Sequence, residues 1–393
     1  MRDERPLTGI RVIEMSHMVM GPSCGLVLAQ LGAEVIKVEP PDGDKTRTLG
    51  GMGAGFFPVF SCGKRSVALD LQSELGREAM FRLLESADVF IENFKDSTIE
   101  ALGLGAKELE ARFPELLIAS HKGFLSGPYE NRPALDEVVQ MLSGLAYMTG
   151  SRDRPLRAGA SVNDIMGGLF GALGIVAMLF RREKTHKGGS VRVGLFENSL
   201  FLVAQHIAQY QVTGKPVSPM SQKEHAWPIY DIFKAADDTR LFVAVTTDAA
   251  WRRFCTHFGL QNLLDDPNMK TTSQRIAQRP QFLPAVAAKL AQCNVNDLEK
   301  DLEGMSIPFA RVNSPEDVLD DPHVNRPGGL RRVVNVDGRQ VLVPSLPIEF
   351  DDDEEPAVHA VTPLGADNVA LLAELGFSPA EVQKLTCRQR KSA

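Results

Sequence analysis

The chain has 393 residues, 44% of them hydrophobic and 24% charged, with a formal net charge of −7. That length admits two domains or one large one, and the composition is ordinary for a globular protein. The acidic balance argues against non-specific binding to nucleic acid. Cys24, Cys62, Cys255, Cys293 and Cys387 stand without CxxC pairs or zinc-like histidine spacing. Scattered thiols of this kind suit a reducing cytosol and no structural metal. The opening MRDERPLTG is charged and lacks the apolar stretch of a secretory signal. The longest apolar run, around Leu169 to Phe180, is too short and too glycine-rich for a membrane span. The expectation is a cytoplasmic protein without membrane or nucleic-acid partners.

Ile10 to Met15 reads as a buried strand, Ser16 to Pro22 as a turn, and Pro22 to Leu31 as a helix ended by Gly32. Glu34 to Val38 is the next strand, closed by Pro40 and Pro41. A nicotinamide dinucleotide would need GxGxxG at the first turn, which offers only Gly21 and Gly25. Further strands are expected at 65–71, 88–92 and 115–120, with helices at 74–86, 98–102 and 107–113. Strands alternating with helices predict an α/β fold with a mostly parallel, Rossmann-like sheet covered on both faces. Ligands then bind beyond the C-terminal ends of the strands, where His17, Glu39, Asn93, His121 and Lys122 fall.

A helix over 135–148 and a loop carrying Arg152, Arg154 and Arg157 lead into the most informative stretch, Leu156 to Phe180. Counted from Asp164, glycines follow at 167, 168, 171 and 174, on one face of a helix. Each glycine in a helix interior costs about 0.5–1 kcal/mol against alanine, so the stripe predicts close approach of another backbone or a ligand. Ser161 and Asp164 fit a capping box, which would account for Asp164 without any chemistry. The alternative is a nucleophile, kept ionised by the helix terminus; the two roles are compatible.

A strand at 190–194 and a helix at 196–213 complete a large domain, 1–215. After a turn-rich, aromatic stretch, a strand at 241–246 and helices at 249–258, 273–292 and 295–303 predict a smaller α+β domain, 225–330. Strands near 330–334 and 340–343 and helices near 364–375 and 379–387 form a C-terminal segment, 331–393, that returns to the large domain. The acidic run Asp351 to Glu355 reads as a solvated loop. GxSxG, HExxH and EF-hand patterns are absent. His17 reads as a turn histidine or a catalyst, Lys64-Arg65 as a solvated pair, and Lys122 as a surface lysine or an anion contact. Arg132 and Arg157 could pair with a substrate carboxylate or with surface acids.

LTGIRVIEMSHMVMGP, LGAEVIKVEPPDGD, GKRSVALDL, ADVFIENF, KGFLSGPYENR and Asp164 in its glycine-rich helix together resemble the class III CoA-transferases, the formyl-CoA and carnitine-CoA transferase type. The match runs in order over nearly the whole chain. HKGFLSGPYENRPALDEVVQMLSGLAYMTG with LRAGASVNDIMGG looks closest to the branch acting on itaconate, mesaconate and other C5 dicarboxylates. The resemblance implies CoA transfer from succinyl-CoA to itaconate or a related acid, through a mixed anhydride and an aspartyl-CoA thioester on Asp164. It implies CoA contacts at His17, Leu69, Asn93, Phe94 and Lys122, and CoA thioesters as substrates with no resident cofactor. His121, Arg157 and His225 are position-based candidates for the substrate. The chain departs from the formyl-CoA enzyme at Met18, Pro40 and Ala101, and Gln222 to Trp227 replaces its mobile glycine loop. An intertwined, ring-like homodimer is also implied. Intramolecular C1-to-C4 transfer on mesaconyl-CoA is the nearer alternative activity. Racemisation is the further one, and it needs a histidine where this chain has Leu135 before Asp136.

Overall fold

The computed structural model describes residues 5–222, 225–350 and 359–386. Asp351 to Glu355 and Cys387 lie outside the described residues. The chain divides into two compact units, one of residues 1–221 and 326–393, the other of residues 222–325.

The larger unit is built on six parallel strands: β1 (Arg11–Met15), β2 (Glu34–Glu39), β3 (Arg65–Ala68), β4 (Val89–Glu92), β5 (Leu117–Lys122) and β6 (Gly189–Gly194), in the spatial order 3-2-1-4-5-6. This is the doubly wound order whose ligand crevice opens at the strands' C-terminal ends. The connecting helices are α1 (Met20–Gln30), α2 (Phe56–Phe60), α3 (Glu74–Glu85), α4 (Asp96–Ala101) and α5 (Ala106–Arg112). They are followed by α6 (Asp136–Ser143), α7 (Leu145–Thr149), α8 (Val162–Thr185), α9 (Leu195–Leu202) and α10 (Ala204–Thr213). Alternate strand residues feed two cores. Ile13, Ile36, Val67 and Phe90 pack under α3, whereas Val12, Val35, Val89 and Ile91 pack under α1 and α8. The shared face of α1 and α8 is what places the site.

Pro22 falls inside the first turn of α1, which starts at Met20. Its missing N–H costs nothing there, because that amide would have no intrahelical acceptor. Two helices expected as continuous are broken. Gly144, with φ 89°, turns the chain between α6 and α7, and Val203 separates α9 from α10.

In the second unit, β7 (Ile229–Lys234), β8 (Arg240–Val245) and β9 (Phe309–Arg311) form an antiparallel sheet. It packs with α11 (Asp248–His257), α12 (Gln261–Asp265), α13 (Thr272–Ala277), α14 (Arg279–Leu290) and α15 (Val295–Gly304) around Trp251, Phe254 and Phe282. The single helix expected over 273–292 breaks at Gln278, ahead of Pro280.

The chain then rejoins the first unit. β10 (Leu330–Val334), β11 (Gln340–Pro344) and β12 (His359–Ala360) make a small sheet, followed by α16 (Asn368–Glu374) and α17 (Pro379–Thr386). Leu371, Leu372 and Phe377 complete the core under α3. The outer edge of β3 is bound by side chains: Asn368 accepts from Ala68 N at 2.8 Å and donates to Ala68 O at 3.0 Å, and Asp367 accepts from Ser66 N at 2.9 Å.

Candidate active site

Asp164 is the third residue of α8. The capping box expected with Ser161 does not form, since the serine side chain makes no cap bond. Asp136, at the start of α6, caps instead: its Oδ1 accepts the Asn163 amide at 2.9 Å. A carboxylate is the stronger acceptor and satisfies one of the orphan amides of the helix start. The other oxygen of Asp136 takes Gln140 Nε2 at 2.6 Å and Arg157 Nη2 at 3.4 Å. Gln140 Oε1 in turn accepts the Ala158 amide at 2.8 Å. The arginine-bearing loop is thereby fastened to α6 beside the carboxylate.

The expectation that the helix terminus keeps Asp164 ionised is corrected. Burial pushes its carboxyl up to about 7, the negative charge of Asp136 adds to the rise, and Arg157 opposes it. Desolvation outweighs the half-charge of the helix end because that end is already taken by Asp136. Replacing Asp136 with asparagine is therefore expected to move the acid limb of the pH–rate profile to lower pH. The substitution removes a like charge and frees Arg157 from its ion pair. The profile of kcat/KM against pH checks it. A thermal melt should show a loss of about 1–3 kcal/mol for the impaired buried hydrogen bonds.

The glycine stripe serves helix packing. A methyl on Gly168 would lie 2.0 Å from Ser23 Oγ and 2.8 Å from the Cys24 amide of α1. At Gly167 it would meet Met20 and Asn198, at Gly171 the His121 ring, and at Gly174 Val191. The face is filled by protein, so of the two expected neighbours it is packed protein, not a ligand, that approaches it. Ser23 Oγ donates to the Met20 carbonyl at 2.9 Å and lies 3.4 Å from the main-chain carbonyl of Asp164, so the first turns of α1 and α8 are in contact. By length and apolar composition α8 could cross a membrane, but its glycine face lies against α1.

Four of the expected CoA contacts meet at the C-terminal ends of β1, β4 and β5. The His17 amide donates to Asn93 Oδ1 at 3.0 Å and Asn93 Nδ2 donates to the His17 carbonyl at 2.8 Å. The His17 and Phe94 rings are 5.1 Å apart. Lys122 donates to the Phe94 carbonyl at 2.8 Å and pairs with Glu92 at 2.7 Å and Asp96 at 2.8 Å. It is buried and fully engaged, neither a surface lysine nor a free cation for a phosphate. Leu69 is the exception, its side chain lying in the core under α3. His17 is exposed, and partial desolvation of its ring beside Phe94 lowers its titration below the ordinary range.

His121 is overturned as a substrate contact. It is buried against Gly171, its ring nitrogens make no hydrogen bond of ordinary geometry, and burial lowers it to about 4, so it is neutral. Arg157 is half-exposed beside Asp164, with one of its donors on the Ala158 carbonyl at 3.1 Å. His225 belongs to the second unit. Asp136 and Gln140 were not read as site residues. Their signal was a polar pair four apart on a helix, which is common on solvated faces as well.

With the sheet order and the seat of Asp164 established, the class follows from comparison. Residues 7–368 match the model of CoA-transferase family III. The chain belongs to that family and is a CoA-transferase. It is 30% identical to a succinate–glutarate CoA-transferase of Agrobacterium fabrum over 94% of this chain and 96% of that one. It is 32% identical to a succinyl-CoA:mesaconate CoA-transferase of Haloarcula hispanica over 81% and 83%. The crystal structure of a CaiB/BaiF family protein from Brucella suis superposes with a TM-score of 0.85 at 31% identity, covering 94% of this chain and 99% of that one.

Proposed function

We propose that the enzyme moves CoA from succinyl-CoA to itaconate or a related C5 dicarboxylate, with Asp164 as the nucleophile. The observation that carries this is a buried carboxylate in the first turn of α8, with Asp136 and Arg157 as its charged neighbours. The Asp164 oxygen attacks the thioester carbonyl, expelling CoA thiolate and forming a mixed anhydride. The thiolate attacks the aspartyl carbonyl, which releases succinate and leaves an aspartyl-CoA thioester. The acceptor carboxylate then attacks that thioester, and the expelled thiolate cleaves the second anhydride on the acceptor's side, restoring Asp164. One difficult transfer becomes four easier steps, provided water is kept from the anhydride.

Arg157 is suited to the distal carboxylate of the acceptor, since only a 3.4 Å contact to Asp136 would have to yield. Glutarate and mesaconate, the acids in the names of the relatives above, are both five-carbon dicarboxylates, which supports that acceptor class. His17, Asn93 and Phe94 are the side chains we assign to CoA. Leu135 is exposed and stands where racemisation would need its histidine, so transfer is the better reading.

A homodimer forms part of the proposal. Leu169, Leu173, Val176 and Phe180 line one exposed side of α8, and Phe201, Ile207 and Tyr210 are exposed on α9 and α10. No residue of α10 is buried. An apolar surface of that extent fits a second copy of the chain. A cytoplasmic location agrees with CoA thioesters as substrates.

The test is an exchange assay with succinyl-CoA against itaconate, mesaconate, citramalate and methylsuccinate, on protein whose mass in solution is measured by sedimentation. Transfer to at least one acid, by a dimer, is expected. No exchange with any of the four would overturn the acceptor class. Product formed from mesaconyl-CoA without any free acid would favour the intramolecular reaction.

A further inference from the structure

Beneath the first turn of α1 lies a buried ion cluster that the reaction above does not use. Glu14, near the C-terminal end of β1, is fully buried. Its Oε1 accepts Ser16 Oγ at 2.9 Å and Lys37 Nζ at 3.4 Å, and its Oε2 accepts Lys64 Nζ at 2.5 Å. Lys37 stands opposite Glu14 in the neighbouring strand, donates to the Ser16 carbonyl at 2.7 Å and pairs with Asp44 at 3.0 Å. Lys64 also donates to the Pro22 carbonyl at 2.8 Å. Glu39 holds Arg47 through both carboxylate oxygens and takes the Asp44 amide at 3.1 Å. Three acids thus balance three cations. The solvated Lys64 expected from the sequence is instead one of the most buried charges in the chain.

A buried ion pair contributes little to stability relative to apolar groups of similar volume, so its presence here points to position. α1 is a slab held between two tight contacts. On one face, a methyl at Gly25 would lie 1.8 Å from Glu14 Oε2 and 3.0 Å from Lys64 Nζ. On another, Ser23 and Cys24 close on Gly168, and Ser23 Oγ reaches the Asp164 carbonyl. The same network grips both ends of the turn that carries His17 and Met18. Lys37 holds Ser16, Lys64 holds Pro22, and Met18 sits between them at φ 63°, a left-handed conformation that a non-glycine residue rarely keeps unaided.

We propose that Glu14 and Lys64 are a positioning pair: by seating α1 they set the Asp164 carboxylate at its working distance from the turn that receives the acyl-CoA. The inference rests on Asp164 being the nucleophile. A misplacement of about 1 Å at a reacting group can cost roughly 100-fold in rate, so the effect belongs in kcat.

The test is the double variant Glu14→Met/Lys64→Met in the full-length enzyme. It removes both charges together and leaves two acids and two cations in the cluster. The expected result is a cooperative melt close to the parent's, a KM for succinyl-CoA within about threefold, and kcat lower by roughly 30–300-fold. The enzyme–CoA adduct, followed by mass, should form slower by the same factor. Glu14→Asp keeps the pair but shortens it, and should give an intermediate loss of kcat at unchanged KM. If the double variant does not fold, Glu14→Asp decides alone. A kcat within twofold of the parent, or a loss shared equally by kcat and substrate affinity, overturns the proposal. Asp164→Ala separates the two readings. Full transfer by that variant would sink the nucleophile, whereas an inactive Asp164→Ala beside a fully active double variant would sink the positioning pair alone.

Discussion

Asp164→Ala is expected to lower kcat for CoA transfer by roughly 10⁴–10⁶-fold, the usual cost of removing a covalent nucleophile. In the same variant the enzyme–CoA adduct should disappear, and residual activity within tenfold of the parent would remove Asp164 from the mechanism. Asp164→Asn carries a second expectation, in stability. The folded-state carboxyl lies near 7, against an ordinary value of 3.8. A raised carboxyl favours the folded state fully below the unfolded value and loses that contribution as pH rises toward 7. The parent should therefore weaken between about pH 4 and pH 7 relative to the asparagine variant, by on the order of a few kcal/mol. Thermal melts of both proteins across that window test it, and parallel curves would contradict it. The free enzyme should also gain kcat/KM as pH rises through about 7, because the ionised form is the attacking one.

Gly168→Ala is expected to be the most damaging single methyl on the glycine stripe of α8 for the contact with α1. The new carbon would face Ser23 Oγ at 2.0 Å and the Cys24 amide at 2.8 Å. The serine hydroxyl could rotate away, but the backbone amide cannot. α1 and α8 must separate, at a cost of about 1–3 kcal/mol by the measure of overpacked cores. Because Asp164 is one turn away, kcat should fall along with the melting temperature. Gly174→Ala on the same face is the control. Its methyl would meet a valine methyl at 3.1 Å, which can give way, and alanine's helical preference offsets the strain. A Gly168→Ala protein as stable and active as Gly174→Ala would refute this account of the stripe.

The strands of the large sheet were legible because each is a short apolar run bounded by turn residues, and alternation with helices specified parallel pairing. The glycine stripe was legible as a close approach, though sequence could not say to what; the answer depends on α1, which lies some 140 residues away in the chain. The breaks at Gly144 and Val203 were less visible. Glycine is tolerated within helices, and nothing in the composition around Val203 marks an end. β7 was hidden by the turn-rich stretch before it, although Ile229 to Lys234 alternates once its antiparallel partner β8 is known. The solvated reading of Lys64 and the surface reading of Lys122 fail for one shared reason. A charged residue beside a strand is normally solvated, and only tertiary contacts reveal the buried acids that hold it. One signal was nevertheless present. IRVIEM and EVIKVE place Glu14 and Lys37, opposite charges, at matching positions of two buried neighbouring strands.

The side-chain latch on β3 bears on how the chain is made. Ala68 and Asn368 are 300 residues apart. At about 5–20 residues per second, β3 waits on the order of 15–60 s after its own synthesis for the residues that occupy its outer edge. During that interval Ser66 and Ala68 present unpaired main-chain groups beside a core still missing Leu371, Leu372 and Phe377. An open strand edge over unfinished apolar packing is prone to join a neighbouring nascent chain. The large unit therefore cannot close this edge and core until residues 367–377 have been made.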